Sequence, residues 1–312
     1  MPRLTVVVPA YNESDVLMTF HRRLGAVLDG LSLTCDVLYV DDGSKDDTWS
    51  LIQTLVEEDP RTGAIKLSRN FGKEVAMTAG LDHVSADAAV VIDCDLQDPP
   101  ELIPALVEQW RAGFDVVYAT RSARAGETRF KRFTAAAFYR SINKLSDTAI
   151  PRDTGDFRLL SRRALDALAQ MHERQRFMKG LFSWIGYRQT AVHYLRDPRQ
   201  GGVTKWNYWR LAQLAIEGIT SFSTAPLRLA TWVGIASAGF AFGYGFFVLV
   251  RALFYGDIVR GYPTLILVIL FLGGVQLLAL GVIGEYLGRN YAESKRRPLY
   301  FIEEQCPPRQ SD

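Results

Sequence analysis

The chain has 312 residues and a formal net charge of +2, with 36 Lys or Arg against 34 Asp or Glu. This length allows one large domain or two smaller ones, and the small net charge gives no reason to expect a nucleic-acid partner. Three widely spaced cysteines and four histidines without ligand spacing argue against a disulfide framework, paired zinc ligands and a histidine metal site.

Short apolar runs alternate with amphipathic stretches over the first 120 residues, which is typical of βαβ units. The pattern predicts an α/β fold with a Rossmann-like, mostly parallel sheet and helices on both faces. Ser44 is expected to cap the second helix. We expect strands at residues 4–8, 37–40, 64–67, 88–92 and 116–119, and helices near residues 14–28, 46–58, 73–83 and 100–111.

Acidic residues follow three of these strands, within the segments PAYNE (9–13), DDGS (41–44) and DCDLQD (93–98). The carboxyl ends of parallel strands meet at one edge of the sheet, so these carboxylates are expected to converge there. Carboxylates packed together repel one another unless a cation joins them. Oxygen ligands alone indicate Mg²⁺ or Mn²⁺, completed by substrate phosphates. The alternative is an acidic turn that caps the next helix.

Phosphate-binding motifs with a glycine-rich loop are absent from the sequence, which argues against a dehydrogenase and against a P-loop ATPase. The segment RNFGKE (69–74) places a cation and a turn glycine between the third strand and its helix. Two roles fit this segment: neutralising a substrate phosphate, or capping a loop.

A basic stretch follows the fifth strand, since residues 121–144 hold seven Arg or Lys and a single Glu. Apolar residues recur there at helical spacing, which predicts an amphipathic helix near 129–145 lying on a membrane; an ordinary surface helix is the alternative. A second interfacial helix is expected at 206–222. The cations expected to face headgroups or a lipid phosphate are Arg121, Arg129, Lys131, Arg132 and Arg140.

Two apolar runs, residues 229–250 and 261–284, contain no Asp, Glu, Lys or Arg. Each exceeds the roughly 20 residues needed to span a bilayer. Because the link between them is short, they are expected to form a hairpin with spans at about 229–252 and 262–285. A pair of helices buried in a soluble core is the alternative.

Basic residues flank the hairpin on the side of both termini, so the positive-inside rule places both termini in the cytoplasm. No signal peptide is predicted, because the first 20 residues are too polar. The expected organisation is a cytoplasmic domain over 1–225, a transmembrane hairpin over 226–288 and a cytoplasmic tail over 289–312.

The segments VVVPAYNE, VDDGSKDDT, SRNFGKEVAMTAGL, DCDLQDPPE and TGDFRLLSRRAL resemble glycosyltransferase family 2. With the two-helix anchor and the ending RRPLYFIEE, the chain most resembles bacterial polyprenyl-phosphate (undecaprenyl-phosphate) glycosyltransferases, which are similar to dolichol-phosphate mannose synthase. The resemblance covers nearly the whole chain. It implies a GT-A type fold, a multi-pass protein of the bacterial inner membrane, and a homo-oligomer, by family resemblance a tetramer.

The same resemblance implies an inverting, metal-dependent transfer of a hexose from a nucleotide sugar to polyprenyl phosphate, with UDP-glucose as the preferred donor. The product would serve to modify a cell-envelope glycan such as lipopolysaccharide. A GDP-mannose or UDP-aminosugar donor is an alternative, as is a membrane carbohydrate-binding scaffold without activity. A processive polysaccharide synthase is disfavoured, because the sequence lacks a Q-x-x-R-W pattern and further spanning helices.

Site residues carry over from the family position by position. Asp95 and Gln97 would bind the metal, and Asp156 would lie near the reacting centre, where we hypothesise that it orients the metal, the acceptor or a nearby cation. Lys205 matches a position near the active site, where it would meet the acceptor phosphate or lipid, although it is equally suited to snorkelling beside aromatic residues. The expected nucleotide-binding residues are Pro9, Tyr11, Glu13, Asp41 or Asp42, and Asp93.

Overall fold

The structure, a computed structural model, describes residues 2–121, 154–174, 176, 178–194, 225–255 and 261–309. These residues divide into two units. The sheet unit holds residues 2–121, those described between 154 and 194, and 297–309, and the helical unit holds 225–255 and 261–296. The interfacial helices predicted near 129–145 and 206–222 lie outside the described residues.

An eight-stranded mixed sheet forms the centre of the sheet unit, in the order β7-β5-β6-β4-β1-β2-β3-β8. The strands are β1 (Arg3–Ala10), β2 (Thr34–Asp41), β3 (Thr62–Leu67), β4 (Ala88–Val91), β5 (Val116–Arg121), β6 (Thr154–Ser161), β7 (Gln189–Tyr194) and β8 (Ile302–Cys306). Strand β1 runs parallel to β2 and β4, and β2 runs parallel to β3. Strand β6 is antiparallel to β4 and β5, and β8 is antiparallel to β3.

Six helices are described in the same unit: α1 (Leu17–Asp29), α2 (Thr48–Glu58), α3 (Lys73–Asp82), α4 (Ile103–Arg111), α5 (Arg162–Ala169) and α6 (Met178–Trp184). The five strands and four helices predicted from the sequence are confirmed, with ends within about three residues. The cap predicted for Ser44 is wrong. Helix α2 begins at Thr48, two residues after the predicted start at residue 46, and Asp46 accepts the hydrogen bond from the Thr48 backbone N–H at 3.1 Å.

The core explains why the first strands read as continuous apolar runs. Every residue of β4 and all but the first of β1 are buried, because helices cover both faces of a parallel sheet. Helix α3 packs against β1 and β2. A Cβ at Gly80 would lie 2.3 Å from Val7 Cγ1 and 3.0 Å from Val40 Cγ2, so only glycine permits this approach. The packing fixes α3 with its first residue, Lys73, at the carboxyl edge of the sheet.

The helical unit consists of α7 (Ala225–Tyr255) and α8 (Tyr262–Ser294), which pack against each other. Both are long and apolar enough to cross a membrane, through the windows Leu229–Phe247 and Phe271–Ser294, and 0% of each window is buried. Phe242 is 79% exposed and Leu277 is 72% exposed. Within the described residues, neither window is buried as a helix in a soluble core would be.

Two helix-interior glycines provide a matched test of the α3 packing. We expect Gly80→Ala to lower the free energy of unfolding by about 1–3 kcal/mol, since the added methyl group overpacks the contact with Val7. Gly25→Ala in α1 is the control, because its Cβ meets nothing closer than 3.9 Å, and we expect it to stabilise the protein by about 0.5–1 kcal/mol. Thermal unfolding of the full chain in detergent measures both; equal midpoints would contradict the packing.

Candidate active site

A cavity of about 360 Å³ opens at the carboxyl ends of β1, β2 and β4. Six of the residues predicted to form the site line it: Pro9, Tyr11, Glu13, Asp42, Asp93 and Asp95. Asn70, Gly72, Lys73 and Ala76 also line it and come from the loop before α3 and from α3 itself. The cavity therefore combines several carboxylates with one Lys.

Hydrogen bonds connect the loops that follow β1 and β2. The Asn12 backbone N–H donates to Ser44 Oγ at 3.0 Å, and the Lys45 N–H donates to Asn12 Oδ1 at 2.8 Å. Asn12 adopts a left-handed backbone conformation with φ of 55°, which Asn tolerates better than most residues. The Glu13 N–H donates to Thr48 Oγ1 at 2.9 Å. These contacts fix the acidic loop of β1 at the cavity edge, and they show what Ser44 does instead of capping α2.

Asp41 and Asp42 differ in their position. Both are buried, and burial raises the pKa of each above its ordinary value. Asp42 lines the cavity and accepts hydrogen bonds from the backbone N–H groups of Phe71 and Gly72, at 2.7 and 2.9 Å. Asp41 accepts from the Ser44 N–H at 3.2 Å. The structure thus favours Asp42 as the acid that faces a ligand.

Close packing also holds the loop before α3 against the end of β2. Gly43 has a φ of 68°, and a Cβ there would lie 2.6 Å from the carbonyl carbon of Arg69. Any side chain at this position would push the loop away, because both the backbone conformation and the available space require glycine.

Lys73 joins two carboxylates of the site. Its Nζ donates to Asp93 Oδ2 and to Asp156 Oδ2, both at 2.6 Å. Burial raises the pKa of Asp93 to about 6, although Lys73 acts in the opposite direction. Burial alone would also raise the pKa of Asp156, but Lys73 and then Lys179 outweigh it and hold that pKa below its ordinary value. Asp156 is therefore ionised at neutral pH.

Lys73 is the site residue that sequence reasoning left undecided between a phosphate contact and a loop cap. Its position as the first residue of a predicted helix at the acidic edge was the available signal. Its two partners lie 20 and 83 residues away along the chain, and only the order of β4 and β6 in the sheet brings them together.

The remaining carboxylates are suited to a divalent cation. Burial raises the pKa of Glu13 to about 7, and the charges of Asp95 and Asp93 add to this. Asp95 Oδ1 accepts from the Gln97 backbone N–H at 3.0 Å. Within the described part of the chain, no three His, Cys, Asp or Glu side chains are arranged to hold a metal ion by themselves. Asp95 and Glu13 both line the cavity, and a Mg²⁺-type site takes one or two carboxylates and completes its shell with substrate phosphates.

The predicted lipid-facing cations cannot be placed in the same way. Arg121 is the last residue of β5. The others lie outside the described residues: Arg129, Lys131, Arg132, Arg140 and Lys205.

Replacing Lys73 tests the charge balance of the site. We expect Lys73→Met to lower the free energy of unfolding by about 1–2 kcal/mol, less than the about 3–5 kcal/mol for a fully buried partner, because 44% of the Lys73 side chain is exposed. It also raises the pKa of Asp156, since a cation that lowers it is gone.

Lys45→Met is the matched control, because it removes an exposed cation from the same edge of the sheet. Thermal unfolding of both variants in detergent provides the measurement. Equal midpoints for the two variants would contradict the role of Lys73 in balancing these carboxylates.

Comparison with known proteins places these features in a family. Residues 5–169 match glycosyl transferase family 2, and residues 225–289 match the GtrB C-terminal hairpin. The chain is 49% identical over 301 residues to an uncharacterised glycosyltransferase of Synechocystis sp., covering 96% of this chain and 95% of the relative. It is 46% identical to a prophage bactoprenol glucosyl transferase homolog of Escherichia coli, covering 96% and 98%.

Among solved structures, a mannosyltransferase from Pyrobaculum calidifontis in complex with GDP-Man and Mn²⁺ aligns with a TM-score of 0.50 at 18% identity, covering 89% of this chain and 87% of that one. This likeness concerns the fold alone and agrees with the predicted GT-A type sheet. The sequence motifs, the matched segments and the near full-length relatives agree: the chain belongs to glycosyltransferase family 2.

Proposed function

We propose that this chain transfers glucose from UDP-glucose to a polyprenyl phosphate, such as undecaprenyl phosphate, at the cytoplasmic face of a bacterial inner membrane. The observation that carries the proposal is similarity along the whole chain, hairpin included, to bactoprenol glucosyl transferases, for example 46% identity over 301 residues to that of Shigella phage SfV. The product would serve the modification of a cell-envelope glycan.

The donor would occupy the acidic cavity. Pro9, Tyr11, Glu13 and Asp42 would hold the uridine, and Asp93 would lie beside the nucleotide, because all five line the same space. Asp95 and Gln97 would hold Mg²⁺ or Mn²⁺ together with the donor diphosphate. When bound, such an ion offsets the negative charge that grows on the leaving diphosphate.

The reaction requires little proton transfer. An oxygen of the acceptor phosphate attacks the anomeric carbon, the bond from that carbon to the donor diphosphate breaks, and UDP leaves with inversion. A phosphate monoester has a second pKa of about 6 and is already largely ionised at neutral pH. Asp156 has a lowered pKa, which makes it a weak base at that pH. Its contact with Lys73 supports a positioning role.

The acceptor would be presented by the membrane-facing parts of the chain. The hairpin within 226–288 would anchor the domain over 1–225, and the positive-inside rule would keep that domain and the segment 289–312 in the cytoplasm. Basic residues following β5 and Lys205 would meet the lipid phosphate. Assembly as a homo-oligomer, in family terms a tetramer, belongs to the same proposal.

Transfer by the purified full chain tests the proposal. The protein in detergent is incubated with undecaprenyl phosphate, Mn²⁺ and labelled UDP-glucose, GDP-mannose or a UDP-aminosugar. We expect label in the lipid fraction from UDP-glucose and its loss on adding EDTA. Preference for another donor would contradict the choice of sugar, and no transfer from any donor would favour the carbohydrate-binding scaffold.

Asp156→Asn separates positioning from proton transfer. We expect kcat to fall by about 100-fold with an unchanged pH dependence, because Asp156 orients Lys73 and takes no proton. Asp166→Asn on the exposed face of α5 is the matched control and is expected to leave kcat as it is. Full activity of Asp156→Asn would remove this residue from the site, and a shifted acid limb would identify it as a base.

A further inference from the structure

Residues 297–308, which we call the C-terminal segment, follow α8 and return to the sheet unit. Neither family match includes them, since these matches cover residues 5–169 and 225–289. Their strand β8 pairs with β3 in antiparallel register, with Ala64 opposite Cys306 and Leu67 opposite Ile302. The segment thus adds an edge strand directly beside the strand that leads into the site.

One contact of the segment is too close for any residue but glycine. A Cβ at Gly63 would lie 2.6 Å from Pro308 Cδ and 2.9 Å from the Pro308 backbone nitrogen. Cys306 also packs against the hydrophobic core. The segment is therefore seated on β3 by shape as well as by strand pairing.

Two consecutive residues of the segment hold the two ends of residues 68–82. The Ser68 backbone N–H, just after β3, donates to the Phe301 carbonyl oxygen at 2.9 Å. At the other end, Tyr300 Oη donates to Asp82 Oδ2, 3.1 Å away, on the last residue of α3. The Tyr300 ring also lies beside the ring of His83, with 6.4 Å between ring centroids.

The stretch between these two contacts forms one wall of the cavity through Asn70, Gly72, Lys73 and Ala76. Between these contacts, Asp42 holds the loop before α3 through the N–H groups of Phe71 and Gly72. The position of residues 68–82 along the cavity therefore depends on Asp42 inside the site and on the C-terminal segment outside the site. Displacements on the order of 1 Å at a binding site have large effects on a reaction.

We propose that the C-terminal segment is a positioning element of the donor cavity: Tyr300 and Phe301 hold residues 68–82 so that the wall carrying Lys73 fits a nucleoside diphosphate sugar. The kinetic part of this inference rests on the proposed function. The structural part, that the segment orders residues 68–75, does not.

Gly63→Ala tests the inference from outside the cavity, because its methyl group collides with Pro308 and loosens the segment. In hydrogen exchange of the full chain in detergent, we expect amides of residues 68–75 to exchange about tenfold faster. In the transfer assay, we expect KM for UDP-glucose to rise about fivefold and kcat to fall by a similar factor, because the displaced wall carries both donor contacts and Lys73.

Two further variants complete the design. Gly63→Ala with Pro308→Gly removes the colliding ring but keeps the backbone nitrogen 2.9 Å from the added Cβ, so it is expected to restore both values in part. Glu303→Gln is the control on the same strand, since it alters an exposed ion pair with Lys66 at 3.4 Å, and such surface pairs contribute little.

Faster exchange at Ile302–Cys306 with unchanged exchange at 68–75 and an unchanged KM would overturn the inference. If Gly63→Ala does not fold, Tyr300→Phe provides the test. We expect KM to rise about twofold to threefold and exchange at the end of α3 to become faster. Wild-type values of both would overturn the inference. If the wild type transfers no glucose, the proposed function fails and the exchange result still decides the inference.

Discussion

Negative charge gathered at the carboxyl edge of a buried sheet is the constraint around which the site is built. Asp93 and Asp156 extend this edge from neighbouring strands, and both are largely removed from water. Carboxylates in that position are costly unless a cation accompanies them. Lys73 supplies that cation inside the protein, at 2.6 Å from each. Asp95 and Glu13 remain facing the cavity, where a divalent ion and a diphosphate would complete the balance.

Three sets of contacts in the fold determine the position of Lys73. Gly80 allows α3 to lie against β1 and β2, Asp42 holds the loop at the beginning of that helix, and the C-terminal segment holds the outer ends of the same stretch. Apart from the side-chain hydrogen bond between Tyr300 and Asp82, these contacts involve backbone groups or glycines, which leave little freedom of position. These contacts set the position of the cavity wall through the fold itself, as preorganised electrostatic catalysis requires.

The sequence predicts the parallel half of the sheet well, because buried strands are continuous apolar runs separated by amphipathic helices. It does not predict β6, β7 or β8. Strand β6 carries Arg158, which is 3% exposed and stacks over the Phe182 ring at 3.9 Å, and β8 is partly buried only at its first and last residues, with three exposed residues between them. The acidic residues could be located by their place at strand ends. The bridge through Lys73 could not, because it depends on which strands become neighbours.

Lys73 and a divalent ion are expected to occupy different positions in the site. A structure of the full chain in a lipid nanodisc with UDP and Mn²⁺ therefore tests this arrangement most directly. We predict Mn²⁺ bound at Asp95 together with the diphosphate, with Lys73 still bridging Asp93 and Asp156. Mn²⁺ bound between Asp93 and Asp156, with Lys73 displaced from both, would contradict the account.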